Sequence, residues 1–582
     1  MKNIHKLTVS LAALALSACS GSPGGPLAQD DPPPPGPSGE NALTVVVVAI
    51  DSLMPEDVDA TTMPNVNGLI TNGTYFLESR SVFSAETIPN HVAMMTGVYP
   101  DRNGIPTNNF WDKDALPGNP GDEDLDNPNE LEAKTLFTWI DEQCRQGLTT
   151  SNPDIRHAAV LSKTYLWEVF RGDDADSQTN DAGINNIEPD THWDPQSSPS
   201  YIGPGSEHTP DPATGPEAVA TLPAADFIFI NLGDVDRSAH ASGSTGRQGT
   251  RSTADQQIGN IISALQDADR WDNTVFIISS DHGMDFSAPE ASEVGPGFPQ
   301  DAPLAVGPAA GNYSGDSIST QPLLDDLAAC TNADVGTIKP MLAVQNGGTN
   351  SIVITDLNST AAEREGTMLA ARACLMNFTG ENTATDAPAS CESVVGTSCF
   401  SSLTQPVNIR AVEHAWYANP DLYTGSALNG ALVGDTGGAM PATIKSRHEN
   451  LGDLVLAISD GFKFSEPDAS GNPIPGNHGH MPTIHNTIIV SGGASFLVAG
   501  NAVDSGNDDH FVRDPGQSEN IDVAPTVAWL LGLDIQDGQF PDAGNTFPDY
   551  GDAVSRSGFD GRVLSEAFNI TDSPSNCGLL PE

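Results

Sequence analysis

The chain of 582 residues has a hydrophobic fraction of 38% and a formal net charge of -53 at pH 7. Its 24 Lys and Arg residues stand against 77 Asp and Glu residues, and such a surface repels nucleic-acid phosphates, which argues against duplex binding. The length fits either one large α/β domain with an inserted subdomain or three separate domains. The acidic excess favours solubility at high ionic strength over a partner-binding role, so no protein partner is inferred.

The first 18 residues predict an export signal. Two lysines precede the apolar stretch 7–16, which is too short to span a bilayer. The sequence Leu-Ser-Ala-Cys that ends at Cys19 resembles the lipobox of bacterial lipoproteins. The resemblance implies that Cys19 is lipidated, and Ser20 after it implies transport to the outer membrane, the cell surface or the periplasm. A plain secretory signal that ends near Ala18 is the alternative.

Residues 19–41 are rich in Gly, Pro and Asp and predict a flexible tether. Beyond the tether, apolar strands alternate with amphipathic helices, which predicts an α/β fold with a mostly parallel central sheet and helices on both faces. The strands predicted for this sheet are 43–51, 157–161, 226–231, 274–280, 454–459 and 487–491, with an extended segment at 74–83. The predicted helices are 63–71, 131–144, 254–265 and 521–531.

The alternation of strands and helices ends after about residue 287, where Gly, Pro, Ser and Asp predominate. We interpret 287–450 as an inserted, loop-rich cap that holds one strand, 350–355, and one helix, 360–374. The cap would separate two parts of one core, 42–286 and 451–582.

Six cysteines remain after Cys19. An even number in an oxidising compartment predicts up to three disulfides. Cys391 and Cys399, in a Ser-, Thr- and Gly-rich loop, are the expected pair, and the other pairings stay open.

The first strand ends at Asp51, which puts a carboxylate at the carboxyl edge of the sheet, where open α/β sheets bind ligands. Thr87 stands just before Pro89, and a short helical pattern follows through Met95. Because Pro is tolerated in the first turn of a helix, Thr87 is predicted at a helix N-terminus, where backbone N–H groups and the dipole favour an anion. A hydroxyl there is well placed to attack phosphorus.

Three further segments carry Asp and His residues on predicted loops. Asp236 and His240 follow an apolar strand, Asp281 and His282 stand at the end of another, and His478 lies in a Gly- and Pro-rich loop. Each segment by itself is more typical of an ordinary loop than of a ligand set. Asp and His together suit Zn²⁺ and other borderline divalent metals, and the joint occurrence predicts a shared two-metal centre.

The order of these motifs resembles the alkaline phosphatase superfamily, and most of all its nucleotide pyrophosphatase/phosphodiesterase branch. The resemblance covers about 43–290 and 450–570. It includes Asn103-Gly-Ile-Pro-Thr-Asn-Asn-Phe-Trp-Asp112 after the nucleophile helix, and the closing helix that begins at Asn520. The cap is not covered well.

The resemblance implies two zinc ions, with other divalent metals not excluded. One ion would be held by Asp51, Thr87, Asp281 and His282, and the other by Asp236, His240 and His478. Thr87 would be the nucleophile, and Asn108 with the backbone N–H of Ile88 would stabilise a non-bridging phosphoryl oxygen. The spacing to His240 favours Asp236 over Asp234 as a ligand, and we expect His91 and His480 to be structural.

These residues predict a hydrolase of small phosphoester substrates, most of all a phosphodiesterase or nucleotide pyrophosphatase. A sulfatase is disfavoured because the nucleophile turn has neither Cys nor Ser and lacks the Arg of that family. Lys163 resembles the substrate-binding lysine of phosphonoacetate hydrolases, which keeps a phosphomonoesterase or phosphonate hydrolase open as an alternative. Lys163 could otherwise be a solvated lysine at a strand end. A non-catalytic surface lipoprotein that uses the fold for binding is the remaining alternative, and in every case only the lipid anchor would contact a membrane.

Overall fold

Twelve strands of three or more residues and seven helices of eight or more residues form the described part of this computed structural model. The described residues are 43–110, 123–124, 131–144, 155–170, 186–203, 207–286, 313–314, 317–318, 321, 324, 331–332, 336–356, 358–377, 412–418, 440, 442–458, 463–464, 476–506, 513–514, 516–533, 558–570 and 573–574.

The strands are β1 Thr44–Ile50, β2 Thr74–Phe76, β3 His157–Val160, β4 Thr191–Trp193, β5 Phe227–Leu232, β6 Thr274–Ser279, β7 Met341–Asn346, β8 Thr349–Ile354, β9 Val412–Tyr417, β10 Leu454–Ile458, β11 Ile488–Gly492 and β12 Asn501–Val503. Two-residue strands lie at Asn109–Phe110, Glu123–Asp124, Tyr313–Ser314, Ser317–Ile318, Thr331–Asn332, Gly336–Thr337 and Lys463–Phe464.

The helices are α1 Pro64–Thr71, α2 Thr87–Thr96, α3 Leu136–Cys144, α4 Asp211–Thr221, α5 Asp234–Asp267, α6 Ala361–Asn377 and α7 Val523–Leu531. Two four-residue helices lie at Pro100–Asn103 and Trp167–Phe170. The helical conformation of α5 is interrupted at Gly243, whose φ of 62° lies in the left-handed region that glycine adopts without strain.

The central sheet has eight strands in the order β12-β2-β11-β6-β1-β5-β3-β4. All neighbours pair in parallel except β11, which is antiparallel to both β6 and β2. The predicted α/β fold with a mostly parallel sheet is therefore confirmed.

Helices cover both faces of this sheet. Val45, Val47 and Ala49 of β1 face a core that includes residues of α2, α3 and α7. Their neighbours along the strand, Val46 and Val48, face a second core built with α1, α4 and α5. Burial on both faces explains why β1 is a continuous apolar run rather than an alternating one.

A second sheet lies in the predicted cap region. Four antiparallel strands form it in the order β7-β8-β10-β9. The prediction that 454–459 rejoins the central sheet is wrong, because this segment forms β10 of the second sheet. Leu454–Ile458 is an apolar run buried on both faces, and its composition does not distinguish which sheet it completes.

Two helix predictions also need correction. The helix predicted at 254–265 begins twenty residues earlier, at Asp234, because the segment of Asp236 and His240 that we expected on a loop is helical, as is the chain that follows it except at Gly243. The helix predicted at 131–144 begins at Leu136.

Cys19 and the predicted Cys391–Cys399 pair lie outside the described residues, whereas Cys144 at the end of α3 is disulfide-bonded. None of the helices in the described residues combines the length and apolar composition that a membrane-spanning helix requires.

Candidate metal centre and nucleophile

The predicted site residues meet at the carboxyl ends of four adjacent strands, β6, β1, β5 and β3. Asp51 directly follows β1, Asp281 follows β6, and Lys163 follows β3. Parallel neighbours end on the same edge of a sheet, and ligands bind there in open α/β folds. Sheet topology therefore brings together residues that are far apart in the sequence.

Asp236 and His240 lie on a helix and not, as predicted, on a loop. Strand β5 ends at Leu232 and helix α5 begins at Asp234, so the two residues are separated by about one helical turn and share a face. Asp234 belongs to neither group of clustered ligand atoms, and its Oδ2 instead accepts a hydrogen bond of 3.0 Å from the backbone N–H of Asp211. The preference for Asp236 over Asp234 therefore agrees with the geometry.

One ligand group consists of Asp236, His240 and His478. The Nε2 atoms of His240 and His478 are 3.0 Å apart, and they lie 3.3 Å and 3.7 Å from Asp236 Oδ1. Ligands at about 2.0–2.2 Å from one tetrahedral ion are separated by distances of this size. These three residues, drawn from α5 and a distant loop, have the arrangement expected of ligands to one ion.

The other predicted group includes the hydroxyl of Thr87. His282 Nε2 lies 3.2 Å from Asp281 Oδ2 and 3.4 Å from Thr87 Oγ1. Oxygen atoms of Asp51 and Asp281 and a nitrogen of His91 also lie within 4.8 Å of one another. Ligand atoms of His282, Asp236 and His478 likewise lie within 4.8 Å of one another, so His282 stands between the two ligand groups.

The three histidines are oriented as metal ligands. The Nδ1 atoms of His240, His282 and His478 lie 3.1, 2.8 and 3.0 Å from backbone carbonyl oxygens. A carbonyl oxygen only accepts, so each Nδ1 carries the proton and each Nε2 presents a lone pair. Lone pairs that converge on carboxylate oxygens repel one another unless a cation lies between them. The donor set therefore fits divalent metal ions, and backbone acceptors at Nδ1 are the usual support for such ligands.

The balance of charge at the site also fits metal ions. Asp51, Asp236 and Asp281 are buried, and Lys163, whose side chain is fully buried, forms ion pairs with Asp51 and with Asp236, the latter at 2.8 Å. One ammonium group offsets one of three carboxylates. Burial lowers the pKa of His282 and of His478, so these side chains are neutral and add no positive charge.

The carboxylates respond differently to this shared ammonium group. Burial and the charge of Asp281 raise the pKa of Asp51 well above its usual range, against the opposing effect of Lys163. Burial also opposes ionisation of Asp236, but nearby positive charge, first of all the Lys163 ammonium group, outweighs it and holds the pKa of Asp236 well below its usual range. Additional cations would keep all three carboxylates ionised.

Asn108 contacts the first turn of α2. Its Oδ1 accepts a 2.8 Å hydrogen bond from the backbone N–H of Ile88, so the two groups predicted to bind a phosphoryl oxygen are bonded to each other. Glu86 Oε2 accepts a 2.6 Å hydrogen bond from the backbone N–H of Asn108. Burial raises the pKa of Glu86 to about 8.

The two flanking histidines have other partners. His91 Nδ1 lies 2.8 Å from the carbonyl oxygen of Thr87, and its Nε2 lies 3.1 Å from the amide of Asn231. His480 Nε2 lies 3.3 Å from Asp285 Oδ2. Both arrangements agree with the structural roles expected from the sequence.

Ser52 and Asn231 are site residues that the sequence reasoning missed. Ser52 donates from its backbone N–H to Asp281 Oδ1 at 3.0 Å and from its hydroxyl to Asp236 Oδ1 at 2.9 Å. The amide of Asn231 donates to Asp51 Oδ1 at 2.5 Å. Their position at the ends of β1 and β5, beside the predicted carboxylates, was the available signal.

Comparison with known proteins places residues 45–294 against the family model for type I phosphodiesterase / nucleotide pyrophosphatase. Bis(5'-adenosyl)-triphosphatase enpp4 of Xenopus laevis is 24% identical over 251 residues, which are 43% of this chain and 48% of the relative. Venom phosphodiesterase of Naja atra is 23% identical over 262 residues, or 43% of this chain and 27% of the relative. The chain thus spans about half or less of the length of these curated relatives.

Among solved structures, murine ectonucleotide pyrophosphatase / phosphodiesterase 5 in complex with AMP aligns with 84% of this chain and 96% of its own, at 14% identity and a TM-score of 0.49. The resemblance predicted from the motifs is confirmed over residues 45–294, which match the type I phosphodiesterase / nucleotide pyrophosphatase family.

Proposed function

We propose that this chain hydrolyses phosphoesters as a metal-dependent phosphodiesterase or nucleotide pyrophosphatase, with Thr87 as the nucleophile. The observation that carries the proposal is the position of the Thr87 hydroxyl, which lies 3.4 Å from His282 Nε2 and 3.5 Å from Lys163 Nζ. Thr87 also begins helix α2, where the dipole favours an anion. The matching family and the names of the relatives support the reaction class.

Two divalent cations, for which we propose zinc, would supply the positive charge that makes a bound hydroxyl acidic and offsets charge on phosphoryl oxygens. One cation would be held by Asp51, Thr87, Asp281 and His282. The His282 ring also lies close to the ligands of the second cation. Asp236, His240 and His478 would hold the other, as the mutual distances of their donor atoms support.

The chain's own residues then have defined tasks. Thr87 Oγ1 attacks phosphorus, the leaving oxygen departs with its electron pair, and water hydrolyses the phosphothreonine ester in a second step. The Thr87 hydroxyl would lose its proton to water before the attack, and Lys163 would stabilise the oxygen anion that remains. Because Asn108 Oδ1 already accepts from Ile88, we assign the amide NH₂ of Asn108, rather than the Ile88 N–H, to a non-bridging phosphoryl oxygen.

The Thr87→Ala substitution tests the nucleophile. We expect kcat on bis(p-nitrophenyl) phosphate to fall on the order of 10³-fold or more, because the attacking oxygen is removed. Metal stoichiometry by elemental analysis should remain close to that of the wild type, and Thr87→Ser should keep measurable turnover. Retention of most of the activity by Thr87→Ala would exclude this nucleophile. Absence of bound metal in the folded wild type would instead favour a non-catalytic binding protein.

A phosphomonoesterase or phosphonate hydrolase is the second candidate function. Lys163 supports it, because a buried ammonium group 3.5 Å from the nucleophile can bind the additional charged oxygen of a monoester. If this function is correct, Lys163→Ala should lower kcat/KM for p-nitrophenyl phosphate at least about tenfold more than for bis(p-nitrophenyl) phosphate. An equal loss of kcat/KM on both substrates would show that Lys163 pairs with the carboxylates of the site and does not select the monoester.

We also propose that the mature protein is lipid-anchored through Cys19 at the outer membrane, the cell surface or the periplasm. The lipobox-like sequence supports this location. Cell fractionation should find the wild type with membranes and Cys19→Ala in the soluble fraction. An unchanged distribution would contradict lipidation at Cys19.

A further inference from the structure

Arg237 differs from the other arginines of the described residues. Every other one donates through its guanidinium to a carboxylate or a backbone carbonyl, or forms an ion pair. Arg237 makes no such contact with the described residues, and its Nε is buried without a hydrogen-bond partner. In a chain with 77 acidic residues, an arginine that pairs with none of the carboxylates in the described segments is unexpected.

The position of Arg237 links it to the proposed active site. It directly follows Asp236 in the first turn of α5, and its guanidinium carbon lies 5.9 Å from the centre of the Tyr165 ring. The same ring lies 5.8 Å from Lys163 Nζ, which is itself 3.5 Å from Thr87 Oγ1. The guanidinium and the ammonium group beside the nucleophile therefore lie next to the same aromatic ring.

We propose that Arg237 forms a subsite for a second anionic group of the substrate, adjacent to the scissile phosphoryl group. This inference rests on the proposed function and names the residue that would make the site prefer phosphoanhydrides, such as nucleoside triphosphates, over simple phosphodiesters. The guanidinium fork matches two oxygens of a phosphoryl group, and a buried donor without an acceptor gains most from such a ligand. A cation here would also offset the repulsion between an anionic substrate and a chain of net charge -53.

The test compares ATP with bis(p-nitrophenyl) phosphate, which has a single anionic group. Arg237→Gln should lower kcat/KM for ATP about 10- to 100-fold, the range for loss of a charge-assisted hydrogen bond, and change the diester value less than about threefold. Arg237→Lys should recover part of the loss. Arg251→Gln removes a charge from the same helix, where Arg251 pairs with Asp57, and should not alter the ratio of the two substrates.

A binding measurement separates this inference from the proposed reaction. Titration calorimetry of metal-loaded Thr87→Ala protein with inorganic pyrophosphate should give a Kd at least about tenfold weaker when Arg237→Gln is added, and little change with inorganic phosphate. Equal losses on both substrates, or an unchanged affinity for pyrophosphate, would overturn the subsite. If the wild type cleaves neither substrate, the proposed function fails, and the pyrophosphate titration still decides the role of Arg237.

Discussion

The carboxyl group of Glu86 positions Asn108, and it has this effect without contacting a proposed metal ligand. It is fully buried one residue before Thr87, and its Oε2 accepts from the backbone N–H of Asn108 at 2.6 Å. Burial raises its pKa to about 8, so the carboxyl group is protonated at neutral pH. A neutral group at this position fixes Asn108 without adding negative charge beside an anionic substrate.

The pair Glu86→Gln and Glu86→Ala tests this role. Gln keeps an oxygen that accepts from the Asn108 N–H and is neutral like the protonated acid, so kcat/KM should change less than about threefold. Ala leaves the N–H without its acceptor, and kcat/KM should fall about tenfold with unchanged metal content. Steady-state kinetics with elemental analysis checks both, and equal behaviour of the two variants would contradict the assignment.

At the scale of elements, a turn of the cap region contacts two loops of the site. This cap turn, residues 346–349, joins β7 to β8. The Asn346 side chain accepts from the Asn109 N–H at 2.7 Å and donates to the Asn109 carbonyl at 2.9 Å. The Gly348 N–H donates to the carbonyl of His478 at 2.8 Å. The turn thus supports Asn109, the neighbour of Asn108, on one side and a proposed metal ligand on the other.

Gly348 is required by this close approach. A Cβ at this position would lie 2.5 Å from the carbonyl oxygen of His478 and 2.6 Å from His480 Nδ1. Neither the backbone nor the buried ring can move freely, so a side chain here would displace the His478 loop.

Asn346→Ala tests the cap turn. Loss of two hydrogen bonds that hold Asn109, each worth about 1 kcal/mol, should lower kcat/KM for the diester about tenfold while metal content is retained. Gln321→Ala is the matched control, because Gln321 makes the same paired contacts to backbone within the cap, at Met341 and Ala343. Similar losses in both variants would indicate general destabilisation of the cap instead.

For the whole molecule, metal binding and folding are predicted to be coupled. The site holds three buried carboxylates and one buried ammonium group, which pairs with two of them, within a chain of net charge -53. Ions that bind the folded state alone stabilise it by mass action. Because a large net charge is screened by salt, the effect is best measured at constant ionic strength.

Removal of metal by EDTA should therefore lower the melting temperature. Readdition of zinc at about 100 times its Kd should restore about 2.7 kcal/mol of stability per site. Differential scanning calorimetry measures the change, and His478→Ala should show a smaller response because one ligand group is incomplete. Identical melting of the metal-free and metal-loaded wild type would show that the carboxylates need no cation.

The sequence by itself determined the α/β class, the strand ends that carry Asp51 and Asp281, and the i, i+4 spacing of Asp236 and His240. These features follow from local periodicity and from the rule that parallel strands present their carboxyl ends on one edge. It did not reveal that Asp236 and His240 lie on a helix, because the Gly- and Ser-rich segment that follows them disfavours one by local propensity.

Only the tertiary structure decided that β10 pairs within the cap sheet and that Glu86 and the cap turn hold the segment of Asn108. It also decided that the Arg237 guanidinium has no carboxylate or carbonyl partner among the described residues. Each of these depends on contacts between residues far apart in the chain. An apolar run predicts burial, and a charged residue has a known charge. Neither predicts which distant residue becomes its neighbour in the folded chain.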